Sequence, residues 1–419
     1  MASIGMLALL LLIGTSSTFF GVFAVGLALL IVIILCLDLE QAGTLFVTLA
    51  MFSAPLNNLR PISSSFVTVS DLIFLLAFAV LTPTMFSKKL ALPWMFILGL
   101  GTIIVTGVIA TVASPITAVS ANQMIRLLIG AFSLPILFMI WRPAHAIIVR
   151  LAAAYILGTV FSVMYGVAQG PIGGGHRYIG YTYHPNFLGL SCLLAAALVP
   201  YVAGAVNANR SWIFWGAGVI CALGVYLSGS RAALLVLIML ILIYPFVEGS
   251  VKAGSAVFAG ILAVVAFSGS LLNSDGNNAV GRLLGGGSAS DSDTQREQLA
   301  SDALKSLKAH PILGNGFDGG LGAHDIYLQV AVAVGIFGLL GFLLVLWAAF
   351  RPLFWKGPEH RLAYPVLAYA AIGPLTNTLW ERLIWSVMAL AFTVVVHGPQ
   401  ADHPEDELGA LRAKKGITV

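Results

Sequence analysis

The chain has 419 residues, of which 59% are hydrophobic and only 9% charged, and its net charge is +4. Soluble domains carry about a quarter charged residues, so a water-soluble globular fold is excluded and lipid must act as solvent for most of this chain. The small, dispersed positive charge suits anionic headgroups and gives no sign of nucleic-acid binding. Counting about 17–25 apolar residues as one crossing, candidate helices fall near 4–19, 20–36, 41–55, 66–86, 92–113, 121–141, 144–168, 184–205, 211–228, 230–248 and 252–272. A polar segment, 273–322, then interrupts the pattern, and apolar runs resume near 323–351, 362–378 and 382–398. The N-terminal "MASIGMLALLLLIG" has no basic n-region and reads as a first span, not a cleaved signal.

The expected fold is therefore all-α: a polytopic membrane protein of 12–14 transmembrane helices with one large extracytoplasmic loop. Four parts follow: N-terminal transmembrane helices (1–272), the loop (273–322), C-terminal transmembrane helices (323–398) and a cytoplasmic tail (399–419). The three cysteines, Cys36, Cys192 and Cys221, sit inside apolar runs without metal-ligand spacing.

Basic residues orient the bundle. With alternating crossings, Lys88, Lys89, Arg142, Arg210, Lys252, Arg351, Lys356, Arg361, Arg412, Lys414 and Lys415 share one side, which is cytoplasmic. The short loops on the other side carry Arg60, Arg177, Arg231 and Arg382 and no lysine. Arginine keeps its charge at any relevant pH and grips phosphate with two parallel hydrogen bonds. One such arginine is an ordinary headgroup contact; several on one membrane face point to a phosphate site.

Within the polar segment, "LLNSDGNNAVGRLLGGGSAS" reads as a loop, and "DSDTQREQLASDALKSLKAHPILGNGF" as an amphipathic helix over the outer mouth. Thr294 and Glu297 form a capping-box signature for its start, Leu299, Ala303 and Leu307 recur at helical spacing, and Pro311 stops it. The "DSD" at 291–293 has the form of a metal-binding DxD, but an outward-facing helix start explains its acidic residues without a metal. Asp71, inside an apolar run, is an intramembrane carboxylate with Arg60 or Arg126 as the expected partner. Gly335, Gly338 and Gly341 read as positions for close helix packing.

Four outward stretches stand together: "HRYIGYTYHPNFLG", "LSGSRAALL", "AVGRLLG" and "AHPILGNGFDGGLGAHDIYLQVAVAVGIFGLLGF". Their order and context over roughly 170–350 resemble the O-antigen ligase and O-antigen polymerase superfamily of polytopic membrane glycosyltransferases. The resemblance implies a GT-C-like enzyme of the bacterial cytoplasmic membrane. Such an enzyme moves a glycan from a polyprenyl (undecaprenyl) diphosphate to an acceptor hydroxyl on the extracytoplasmic face, with no cofactor or metal. Its partners are the lipid-linked donor, a lipid- or glycan-linked acceptor and membrane lipids. It also implies that Arg231 and Arg282 bind the diphosphate, with Arg177 beside them, and that His324 is the essential histidine. Asn186, in "HPN", belongs to a recurrent stretch of the family; the family's His-Asn pair is His324-Asp325 here, followed by Tyr327 and Leu328.

Residue chemistry fits this expectation. A diphosphate leaving group gains negative charge that fixed cations stabilise, and a histidine titrating near neutrality suits removal of the acceptor proton. Adjacent residues on a helix do not face each other, so Asp325 is expected to bind acceptor or cap the helix. His184, Asn186, Asp325, Tyr327, Arg60 and Arg382 complete the candidates. Acceptor choice, lipid-linked core in a ligase or second glycan in a polymerase, is not separated by these motifs. A lipid or glycan transporter is the rival of another class, but it ordinarily places acidic groups at mid-membrane, where only Asp71 qualifies. A metalloprotease lacks its HExxH, and "SGSR" is not a serine-protease context.

Overall fold

A computed structural model describes residues 37–61, 67–88, 90–172, 176–266, 277–285, 289–317, 322–355 and 357–398. The candidate spans at 4–19 and 20–36 and the tail 399–419 lie outside the described residues. Every regular element among the described residues is helical: α1 (Leu39–Ser53), α2 (Val69–Phe86), α3 (Trp94–Ala113), α4 (Thr117–Leu127), α5 (Ser133–Trp141), α6 (His145–Gln169), α7 (Pro185–Ala205) and α8 (Ala208–Leu227). They continue with α9 (Arg231–Val247), α10 (Val251–Ala266), the short α11 (Ala279–Leu283), α12 (Ala289–Ala309), α13 (Ile326–Phe350), α14 (Ala363–Ile372) and α15 (Arg382–His397). A π-helical turn, Leu128–Phe132, joins α4 to α5. Among the described residues, seven helices are long and apolar enough to cross a membrane, and α9 and α15 are shorter apolar helices. The chain is an all-α polytopic membrane protein.

The sequence-derived span near 362–378 is shorter in the structure. Helix α14 stops at Ile372, and Gly373–Leu375 makes one tight turn before an extended stretch. Pro374 has no N–H for the ladder, which favours the stop there.

Helix α7 is the axis of the bundle. It buries Leu193, Leu194, Leu198 and Tyr201 completely and packs against α6, α8, α9 and α14. The flanking helices α3 and α8 instead expose Ile97, Val105, Trp212 and Val219, an apolar outer surface that suits lipid. Lipid offers no hydrophobic drive for helices to associate, so close approach matters more. Helices α3 and α13 achieve it through Gly99 and Gly341, where an added Cβ would lie 2.5 and 2.7 Å from the other's carbonyl oxygen.

Polar side chains pin the helix ends. At one end, Asp71 sits in the first turn of α2, where it closes a capping box with Thr68. It is thus a helix-end carboxylate, not a mid-membrane one. Its ion-pair partner is Arg382, neither Arg60 nor Arg126. Arg382 also donates to the carbonyls of Ile129 (2.9 Å) and Gly130 (2.9 Å), which the π turn leaves available. At the opposite end, Lys88 donates to the Trp141 carbonyl (2.6 Å). There Glu248 accepts from His360 (2.9 Å), Arg361 (2.5 Å) and Tyr364 (2.9 Å). Burial alone would raise the Glu248 carboxyl; the three donors outweigh it and bring it to about 2.

The long helix α13 is broken. Gly335 has φ 70° and ψ −174°, a region open essentially only to glycine. Lipid cannot satisfy the backbone groups freed by such a break. The segment 311–316, "PILGNG", does: Asn315 N–H donates to Val332 O (2.8 Å), Gly316 N–H to Ala333 O (3.1 Å), and Ile336 N–H to Pro311 O (3.0 Å). Gly335 is therefore a docking point for this strap rather than a simple packing glycine; a Cβ there would lie 2.0 Å from Ile312 O.

Gly335→Ala should consequently destabilise the protein by about 2 kcal/mol or more, from the forced backbone conformation and the overlap together. Gly101, in α3, has open space at its Cβ position, and Gly101→Ala should be neutral or stabilising. Thermal unfolding of the two variants in one detergent measures the contrast; equal melting temperatures would contradict the strap.

Candidate functional site

The turn before α9 organises the site. Gly229, with φ 65°, lets the chain reverse between α8 and α9, and a Cβ there would lie 2.5 Å from Asn277 O and 2.8 Å from the Arg177 Nε. The Ser230 hydroxyl caps α9 by accepting from the Ala233 N–H (3.4 Å). Two buried arginines reach this turn from different parts of the chain. Arg177 donates from Nε to the Ser228 carbonyl (2.7 Å) and from Nη2 to Asn186 Oδ1 (2.7 Å). Arg282 donates from Nη1 to the Gly229 carbonyl (2.9 Å). It is presented by α11, whose start is capped by the Asn278 side chain accepting from the Gly281 N–H (2.7 Å). Arg231, the first residue of α9, is fixed by the same turn.

Local structure also separates the His-Asp pair before α13. Asp325 is the N-cap and accepts from the Leu328 N–H (3.0 Å). His324, one residue earlier, has φ 50°. That left-handed turn lets Asp325 cap the helix while the half-buried His324 ring lines the cavity outside it.

Two adjoining cavities open here and share Asn186, Arg282 and Arg296. The larger, about 210 Å³, is lined by Arg177, His184, Asn186, Arg282, Gln295, Arg296, Leu299 and His324. The smaller, about 20 Å³, adds Ser230, Arg231 and the turn after α14. Among the described residues no acidic side chain lines either. Burial, and then Arg282, Arg296 and Arg231, lower Arg177 to about 9, still a cation at neutral pH. Burial, then Arg177, His324, Arg282 and Arg296, lowers His184 to about 4. Burial and then Arg296 lower His324 from its ordinary value. Both histidines are thus held neutral. His184 Nδ1 accepts from the Asn186 N–H (3.1 Å), which leaves its proton on Nε2. His184 therefore offers the cavity a donor, and His324 is the other neutral imidazole that lines it.

Arg177, Arg231, Arg282, His184, Asn186 and His324 are brought together; other sequence candidates are not. Arg60 lies over the Tyr183 ring, 4.6 Å from its centre, outside both cavities. Arg382 is held by Asp71 and the π turn, as above. Tyr327 donates its hydroxyl to the Ala370 carbonyl (2.6 Å) and so packs α13 on α14. Asp293 of the "DSD" pairs with Arg231, its Oδ2 accepting from Nη1 at 2.8 Å. Arg296 is the charged lining residue that sequence reasoning missed, and Gln295 beside it was missed too. The signal for Arg296 was its helical spacing from Asp293, obscured by taking Thr294 and Glu297 as the helix start. The helix begins at Ala289, so that pair sits in its second and third turns and makes no cap.

Residues 216–343 match the model of the O-antigen ligase family. The match includes Arg231, Arg282, Arg296 and His324, while Arg177, His184 and Asn186 precede it. No curated protein matches the chain. The segment spanning α9 to the core of α13, which supplies His324 and three of the arginines that line the two cavities, is thus similar to the O-antigen ligase family.

Proposed function

We propose that this protein is a membrane glycosyltransferase that moves a glycan from a polyprenyl diphosphate to an acceptor hydroxyl at the extracytoplasmic face of the bacterial inner membrane. The observation that carries this reading is the convergence of Arg177, Arg231 and Arg282 with a neutral His324 at one end of an apolar bundle. The Arg177 partners are a carbonyl and an amide oxygen, so its hydrogen bonds fix its position without neutralising its charge. A diphosphate at that site meets cations whose position is already set.

In the proposed reaction the acceptor oxygen attacks the anomeric carbon and its proton passes to His324. The bond from that carbon to the diphosphate oxygen breaks, and its electron pair leaves with the polyprenyl diphosphate. Direct displacement inverts the anomeric centre. The arginines stabilise the charge that grows on the leaving group, so the step calls for no protonating acid. His184, with its Nε2 proton, suits an oxygen of donor or acceptor. Ligase chemistry, with a lipid-linked acceptor, is the first reading; polymerase chemistry, with a second lipid-linked glycan, uses the same groups. The transporter alternative is weakened by Asp71, which is spent on a helix cap and Arg382. It is weakened too by the α13 break, whose freed groups are taken by the strap and so build no ion site.

Purified protein supplied with a polyprenyl diphosphate-linked oligosaccharide and an acceptor should release polyprenyl diphosphate. His324→Ala should lower that rate by about 10²–10⁴-fold in a protein that still binds donor, and His324→Gln should fail equally; an active Gln variant would remove His324 as base. Because burial and Arg296 lower the His324 pKa, the base is ready throughout the neutral range. Activity should stay flat there and fall only as the pH drops through a value below the ordinary histidine range; an acid limb above about 6.5 would contradict this. Arg282→Lys keeps charge but loses the planar fork, and is expected not to restore activity. Chelators should leave the rate unchanged.

Sidedness has its own test. A cysteine placed at exposed Ser301 on α12, with Cys36 replaced by serine, should react with an impermeant maleimide in cells whose outer membrane is permeabilised. One placed at Asn209, beside the inward Arg210, should react only after lysis. The reverse pattern would turn the site toward the cytoplasm and end the proposal.

A further inference from the structure

Helix α12 carries Asp293 and Arg296 three residues apart, hence on one face. Asp293 meets Arg231 at the mouth of the smaller cavity. Arg296 lines both cavities, beside Arg282 in each and beside His324 in the larger. It is partly buried and, among the described residues, makes no hydrogen bond or ion pair. Its guanidinium is thus held among Arg177, Arg231 and Arg282, with one carboxylate, on Arg231, near them. Grouping four guanidiniums in a half-buried space is unfavourable until an anion of more than one charge enters it.

The other cations come from the membrane bundle or from α11 beside it, and the backbone carbonyls of one turn fix Arg177 and Arg282. Arg296 comes from a separate element, the amphipathic helix that packs over the start of α13 through Ala303, Ala323 and Val332. A ligand between that helix and the bundle would be gripped from both. The Arg231–Asp293 pair is bidentate but largely exposed on the acid side, with the Asp293 side chain 53% accessible. A phosphate offers Arg231 the same two-pronged contact, so it can take the carboxylate's place while α12 keeps its position through its apolar contacts.

We propose that Arg296 is a further donor-binding residue: α12 presents its guanidinium to the diphosphate of the lipid donor, together with Arg177 and Arg282, so that the outer helix is part of the binding site and not only its cover. This rests on the reading that the cavity takes a polyprenyl diphosphate. It assigns α12 a share in substrate affinity that its amphipathic pattern alone does not imply.

The test uses the full chain in lipid nanodiscs, with undecaprenyl diphosphate lacking any glycan as probe and undecaprenol as the control for the tail. Arg296→Ala should weaken diphosphate binding by about tenfold or more, the loss of a charged hydrogen bond, with undecaprenol binding unchanged. Arg296→Lys should recover part of the loss. Lys305→Ala removes the same charge from an exposed position on the same helix and should bind as the wild type does; an equal loss there would make the effect one of general field and overturn the proposal. Wild-type affinity in Arg296→Ala together with weakened binding in Arg282→Ala would overturn the role of Arg296 and leave the diphosphate reading standing. If the wild-type protein does not distinguish undecaprenyl diphosphate from undecaprenol, the diphosphate reading itself fails and the inference with it. Melting temperatures within a few degrees of wild type keep each comparison interpretable, since Arg296 sits on a surface helix and packs no core.

Discussion

A transmembrane helix that stops and restarts leaves amides and carbonyls that hydrocarbon cannot satisfy. In this protein the break at Gly335 is tolerable because the "PILGNG" strap brings its own backbone to the gap, with bonds of 2.8–3.1 Å to Val332, Ala333 and Ile336. The rest of that end of the bundle depends on that repair. The strap runs directly from the end of α12 and leads back toward His324, so fixing it on α13 fixes both the helix over the cavity and the turn that presents the imidazole. Phe317, which follows the strap, is buried with its N–H on Ser120 Oγ (2.9 Å), tying the same segment to α4.

A second constraint is electrostatic. The bundle uses arginine in two ways, and the partner tells them apart. Arg382 and Arg361 meet carboxylates, Asp71 and Glu248, and act as clamps whose charge is spent. Arg177 meets a carbonyl and an amide oxygen, so it is placed and still charged. Burial first, and then charges kept in that way, disfavour the protonated form of the two histidines among them, so both are neutral. Neutral imidazoles and cations that remain cations are thus satisfied by one arrangement.

Much of this architecture is legible in the sequence because lipid imposes a simple grammar. Apolar runs of fixed length gave the spans from α1 to α13 close to their observed bounds, and helix-capping chemistry pointed to Asp325. Most of the misreadings share a cause, a contact between segments distant in the chain; the Thr294–Glu297 cap is the exception, a local pattern overridden by a longer helix. Asp71 lies 311 residues from Arg382, and no spacing rule joins them. Thr294 and Glu297 satisfy a local capping pattern, yet the helix starts at Ala289. Gly335 fits a small-residue packing rule, but its conformation answers to a strap that arrives from a loop. Arg296 was invisible for the same reason: its importance comes from what three other chain segments place beside it.

The shared backbone of strap and broken helix also defines what can be exchanged between relatives. For the proposed transferase, acceptor preference would ordinarily be sought by transplanting the loop before α13, cut near residue 322. That boundary divides hydrogen-bonded partners, because the groups that the strap at 311–316 bonds lie at 332–336. A loop grafted alone would present its own turn to a foreign gap. The portable unit runs from the start of α12 through the break, residues 289–336, and a recombination map of working chimaeras should show its crossovers falling outside that interval.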